Sequence, residues 1–125
     1  MLSLFDRLKN PERRSQLAGD PKQLAELSAI EVDVLNKVIE SGTNQGQSPL
    51  FWLCLTYEEN KLLDTIPDIH EKITPKGLNS VIQTGPFTGY SAFYILTRSV
   101  KGMKVLSKVD PKLVSQLALN GTVSL

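Results

Sequence analysis

Two stretches of this chain repeat one another at a fixed offset of 43 residues, and a period of that size commits a chain to stacking. Set without gaps, "LNKVIESGTNQGQSPLFWLCLTYEENKLLDTI" (35–66) lies over "LNSVIQTGPFTGYSAFYILTRSVKGMKVLSKV" (78–109), with ten of 32 positions identical. Unrelated segments of ordinary composition would share about two at any one offset. The identities include Leu35/Leu78, Asn36/Asn79, Gly42/Gly85, Gly46/Gly89, Ser48/Ser91 and Leu53/Leu96, while Trp52 shares a slot with Ile95 and Cys54 with Thr97. The flanks agree loosely as well, since "DPKQLAEL" (20–27) and "DPKLVSQL" (110–117) open alike. A unit of this kind cannot bury its apolar face alone and needs a neighbour against it.

The units are written as helices. Five prolines follow a residue able to cap a helix: Asn10-Pro11, Asp20-Pro21, Ser48-Pro49, Thr74-Pro75 and Asp110-Pro111. The capping side chain accepts from the unpaired N–H groups of the first turn, and proline suits the next position because it has no N–H to leave unpaired. Five such pairs do not fit a sheet, where proline deletes ladder bonds. Gly19, Gly42, Gly85 and Gly121 stand where left-handed C-terminal caps would end helices. Between these marks the spacing predicts a helix over 29–41, with Ile30, Val34, Leu35, Val38 and Ile39 on one stripe. Short helices are expected in "PDIHEKI" and "PKGLNSVIQTG", and another in "DPKLVSQLALNG". The expected class is all-α.

The burst "GQSPLFWLC" and its counterpart "GYSAFYILT" then read as the inner helix of each unit, apolar on nearly all sides. Both resemble the ankyrin repeat, whose first helix opens G-x-T-P-L-H-x-A-A, at Gly46, Ser48, Pro49 and Leu50 and at Gly89, Ser91 and Phe93. The histidine is replaced by Phe51 and Tyr94, the alanine pair by Leu53-Cys54 and Leu96-Thr97, and the unit is 43 rather than 33 residues long. The resemblance covers residues 46–66 and 89–109. It implies a short α-solenoid of about two and a half enlarged units in one domain: an N-terminal cap (1–19), a first repeat (20–66), a second (67–109) and a partial repeat or C-terminal cap (110–125). The "SPLFWL" style is also similar to repeats in effector proteins that intracellular bacterial pathogens deliver into host cells. By that resemblance the chain is a protein-binding module without catalytic residues, cytoplasmic or delivered into a host cytosol.

Composition removes other classes. Fourteen basic and thirteen acidic side chains leave a net charge of +1, so no strong field of one sign is present for nucleic acid or an anionic membrane. Arg13-Arg14 is the densest basic spot and makes a weak footprint. The opening "MLSLFDRLKNPERRS" is too short and too charged for a signal peptide or a membrane span. One cysteine leaves no internal disulfide, and a reducing compartment suits it. The sequon "NGT" (120–122) carries no weight without a secretory signal.

Binding is expected on the connectors "GTNQG" and "GPFTG", where glycines four apart fix the frame and the inner residues vary. Asn44, Gln45 and Gln47 face Phe87, Thr88 and Tyr90 in the equivalent places, and aromatics dominate interface hot spots. Phe87 and Tyr90 could instead fold back on their own unit. Tyr57, Glu58 and Arg98, near the inner helix ends, could line a concave face or be ordinary surface. An enzyme would have to use Cys54 with His70, yet Cys54 sits inside an apolar run and His70-Glu71 lacks the second histidine of a zinc motif. No metal site and no cofactor are expected. The remaining alternative is self-association. The sequence stops soon after "DPKLVSQLALNG" with Val123 and Leu125 still apolar and the last unit incomplete. This helix is then either the polar cap a solenoid calls for, a face that docks a second copy, or part of a longer protein.

Overall fold

A computed structural model describes residues 2–109, and among them the chain is all helical, with ten α-helices, one 3₁₀ helix and no strand. Four of the five polar–proline pairs open helices. Asn10 accepts from the Glu12 and Arg13 amides at the start of α2 (Pro11–Ala18), and Asp20 accepts from Lys22 at α3 (Pro21–Ser28). Ser48 accepts from Phe51 at α5 (Pro49–Leu55), and Thr74 from Gly77 at α8 (Pro75–Asn79). The fifth pair, Asp110-Pro111, lies outside the described residues, as do Gly121, Val123 and Leu125. Ser91, 43 residues after Ser48, caps α9 (Ala92–Leu96) through the Tyr94 amide without a proline behind it. Ser3 does the same for α1 (Leu4–Lys9). The remaining elements are α4 (Val32–Leu35), α6 (Tyr57–Asn60), the 3₁₀ turn Leu62–Thr65, α7 (Ile69–Lys72) and α10 (Val100–Val109).

The helix expected over 29–41 is one turn long. After α4 the chain turns at Asn36 and leaves the helical conformation, so Val38 and Ile39 lie outside any helix. Both are β-branched, which weakens the helix, and Ile39 has better partners elsewhere. Its N–H donates to the Gln47 carbonyl at 2.9 Å and its carbonyl accepts from the Gly46 N–H at 2.8 Å. The segment is the stem of a finger whose tip is "GTNQG". Likewise α8 stops at Asn79, and Ile82 donates to Tyr90 at 2.8 Å and accepts from Gly89 at 2.9 Å. Two further bonds inside the tips, Gln45 to Gly42 and Gln47 to Asn44, recur as Thr88 to Gly85 and Tyr90 to Phe87. Every donor and acceptor shifts by the same 43 residues.

Gly42 and Gly85 therefore do not cap helices; they are left-handed (φ +92° and +83°) because the finger turns there. Gly19 does end α2, with an ordinary φ of −98°. Gly46 is constrained twice. Its φ is +92°, and a Cβ would overlap the Val81 carbonyl of the second finger. Contact this close lets the fingers bond to each other. Gln83 N–H donates to the Gln45 carbonyl at 3.0 Å, Ser80 Oγ to Gly46 at 2.9 Å and Thr84 Oγ1 to Thr43 at 2.7 Å.

Behind the fingers lies the core. Residues Pro49–Cys54 of α5 are all buried, and α5 packs on α1, α8 and α9. Trp52 is 2 % exposed, meets Phe5 edge-to-face at 5.4 Å and donates from Nε1 to Gln47 Oε1 at 2.6 Å. Leu8, Leu17 and Leu27 bring α1–α3 onto this core. Arg7 ties α1 to α3 through a two-pronged bond to Glu26 at 2.7 and 2.8 Å.

One buried amide links the copies below the fingers. Asn36 Nδ2 donates to the Val32 and Lys72 carbonyls at 2.8 and 2.7 Å, and its Oδ1 accepts from the Thr74 N–H at 3.0 Å. Gly77 lies so close that a Cβ there would overlap this side chain. Asn79, its counterpart 43 residues on, is exposed. Removing a partner from buried groups costs more than the net worth of the bond. Asn36→Ala should therefore lower stability by roughly 2–4 kcal/mol, whereas Asn79→Ala should stay within about 0.5 kcal/mol. Urea titration followed by circular dichroism measures both.

Candidate protein-interaction groove

The fingers and the N-terminal helices stand apart across the floor made by α5, leaving a groove of about 590 Å³. One wall is α1 and α2, with Asp6, Lys9 and Arg14. The opposite wall is the finger tips, with Thr43, Asn44 and Gln47 from the first and Thr84, Pro86 and Phe87 from the second. Trp52 and Leu55 form the floor. The rung from Gln45 to Gln83 and the Thr84–Thr43 bond fix the spacing of the two tips, so the variable residues are presented from one braced frame.

Of the residues singled out from sequence, Asn44, Gln47 and Phe87 come together here. Gln47 is oriented by Trp52, which occupies its amide oxygen. Phe87 packs across the junction, edge-to-face on Phe51 of the first copy at 5.9 Å, and also lines the groove. Gln45 supplies the carbonyl of the rung. Thr88 is exposed and its hydroxyl donates to Gly85 within the tip.

Tyr90 begins a second feature, an aromatic row on the outside. Phe87, Tyr90 and Tyr94 follow one another with centroids 5.9 and 5.0 Å apart, and the Arg98 guanidinium lies 5.5 Å over Tyr94. Tyr90 and Tyr94 are 36 % and 39 % exposed. Tyr57 is elsewhere. Its hydroxyl donates to Asp64 at 2.9 Å, Asp64 pairs with Lys101 of α10 at 2.9 Å, and Lys61 covers the ring at 4.5 Å. This side chain braces α6 and the 3₁₀ turn against α10 and does not reach the groove.

Sequence reasoning missed the wall made by α1 and α2, and Arg14 above all. Only 5 % exposed, it donates from Nη1 to the Leu8 carbonyl at 2.7 Å, while its Nε has no partner among the described residues. Burial pushes its pKa below the ordinary arginine value, and the charge of Glu59 works the other way. The signal that could have found it is periodicity, since Arg14 and the fully buried Leu17 stand three apart on one face of α2.

Cys54 is buried in the core and lines a small cavity of about 150 Å³ with Ile95 and Leu96, while His70 borders a different cleft beside Lys101 and Lys104. Among the described residues no three His, Cys, Asp or Glu side chains gather as metal ligands, and no helix is long and apolar enough to cross a membrane. No protein-family model matches this chain, and no curated protein or solved structure does either.

Desolvation raises the Cys54 thiol from 9.0 to about 12. The folded state keeps this proton where the unfolded chain gives it up, so the stability is complete below pH 9.0 and is lost as pH rises toward about 12. Above pH 9.0 the wild type should fall relative to Cys54→Ala by up to about 1.4 kcal/mol per pH unit, as read by denaturant titration at stepped pH.

Proposed function

We propose that this chain is a non-catalytic protein-interaction module, a short α-solenoid of about two and a half ankyrin-like units behind an N-terminal helical cap. It holds a segment of another protein in the groove between cap and fingers. The observation that carries the reading is the convergence of Asn44, Gln47 and Phe87 on one groove of about 590 Å³. A repeat frame supports it: backbone bonds that recur at 43 residues hold the tips, while the tip sequences differ. A rigid scaffold that displays variable loops lowers the entropic cost of binding, because little has to be ordered on contact. The likeness of "SPLFWL" to repeats of host-directed effectors supports a host protein as partner and a cytosol as the setting.

Self-association is the second reading, favoured by one observation. The carbonyls that accept the rungs in the first finger, those of Thr43, Gln45 and Gly46, have counterparts in Pro86, Thr88 and Gly89 with no such rung among the described residues. A second copy could continue the stack there.

Affinity capture from lysate tests both, using the wild type, a groove-filling pair Asn44→Arg/Pro86→Arg, and Val100→Arg as a control on the 75 %-exposed Val100. A protein held by the wild type and the control and lost at least about tenfold from the pair supports the module, an effect in the range of interface hot spots. Equal capture by all three removes the groove. Recovery of this chain alone, with a mass in light scattering that rises with concentration, moves self-association forward.

A further inference from the structure

The groove has one unmet demand, and it is chemical. Arg14 is a permanent cation that lines the groove at 5 % exposure. Among the described residues it donates once, from Nη1 to the Leu8 carbonyl, and no carboxylate pairs with it, while its Nε is enclosed away from the groove. Buried polar groups are nearly always paired, and a charged one left without an acceptor is costly to the free protein. Glu59 lies near enough for its charge to be felt, yet forms no ion pair with Arg14. Two other groups facing the groove lean the same way. Lys9 brings a second cation to the rim. Gln47 has its amide oxygen taken by Trp52, which leaves the nitrogen as the end to offer. Asp6, the one carboxylate on the groove among the described residues, accepts from Ser3 and offsets one of the two cations.

From this donor-rich lining we infer that the groove recognises an extended acidic segment of the partner, with one Asp or Glu carboxylate seated on Arg14 and the adjoining side chain against Trp52 and Phe87. A carboxylate accepting from the guanidinium makes a charge-assisted bond, about twice as strong as a neutral one. Lys9 steers the segment to the site from solution and adds salt dependence. The inference rests on the groove being the binding surface, so its test has to separate the two.

The experiment selects random twelve-residue peptides displayed on phage against the whole chain, then measures the recovered peptides by fluorescence anisotropy. The expected result is enrichment in Asp and Glu. Replacing the key acid by its amide should weaken binding roughly tenfold or more, and Lys9→Glu should do the same without altering the circular dichroism. Because Arg14→Gln risks the fold, the direct readout is the wild-type Arg14 Nε–H resonance in ¹⁵N spectra, which should move downfield when the acidic peptide is added. Peptides that bind in the groove with neutral or basic sequences, or that leave the Nε–H resonance in place, overturn the acidic assignment and leave the module standing. Failure to recover any groove-binding peptide overturns both. A dimer in sedimentation that the acidic peptide disperses would give the groove to a second copy and also overturn a separate partner.

Discussion

Where the second finger lies against the first, the Val81 carbonyl fills the space that a Cβ on residue 46 would need. Much of the architecture follows from that approach. With the backbones this close, Gln83, Ser80 and Thr84 reach the carbonyls of the first finger, and the two sequence copies are locked in one register. A looser contact would leave those carbonyls to water and let the tips drift independently. Asn36 fixes the other side of the same junction by reaching the chain that enters α8. Between these two clamps α5 is pressed on α8 and α9, and its apolar surface is closed off.

The two copies diverge where their surroundings diverge. Phe51 is 1 % exposed, and its counterpart Tyr94 is 39 % exposed with its hydroxyl near the Arg98 guanidinium. Asn36 is buried with three bonds while Asn79 is exposed. Cys54 is buried, and Thr97 in its slot turns its hydroxyl to the Tyr94 carbonyl. In the first copy a residue sits between two neighbours and is apolar or fully satisfied. In the second, one flank lies open among the described residues, and the same slots carry hydroxyls and charges.

This explains what could be read from the sequence. Caps were legible because they are local: Asn10, Asp20, Ser48 and Thr74 act within three residues of themselves. The finger tips were legible as a fixed frame with variable contents, which is how Asn44, Gln47 and Phe87 came to attention. The stems were not. Ile30, Val34 and Val38 have helical spacing, and nothing local reveals that Ile39 will bond to Gln47 across the tip. Tyr57, Glu58 and Arg98 were noticed from their place near the inner helix ends, and they border one small cleft together, apart from the groove, where Tyr57 and Arg98 also bond to Asp64 and Tyr94. The cap wall was hidden because α1 and α2 have no counterpart in the repeat. Comparing copies says nothing about a segment present once, and Arg14 looked like surface charge beside Arg13.

The placement of Arg14 has a reason that neither the repeat nor the cap supplies alone. The two fingers present backbone and variable tips, all on one side of the groove. Helices α1 and α2 add the facing wall, which carries the buried Arg14. α2 ends at Gly19, buries Leu17 and packs on α1 and α3, which the Arg7–Glu26 pair ties together. The cost of the unpaired Nε is thus carried by the free protein as a whole and not by one mobile loop. On the proposed reading, a carboxylate entering the groove would meet the Arg14 guanidinium, while the braced tips would add little ordering of their own. On that reading affinity would be concentrated at Arg14 of α2. Selectivity would lie with the tip residues that line the groove, Thr43, Asn44, Pro86 and Phe87, which the two copies are free to vary because their glycines and backbone bonds are not.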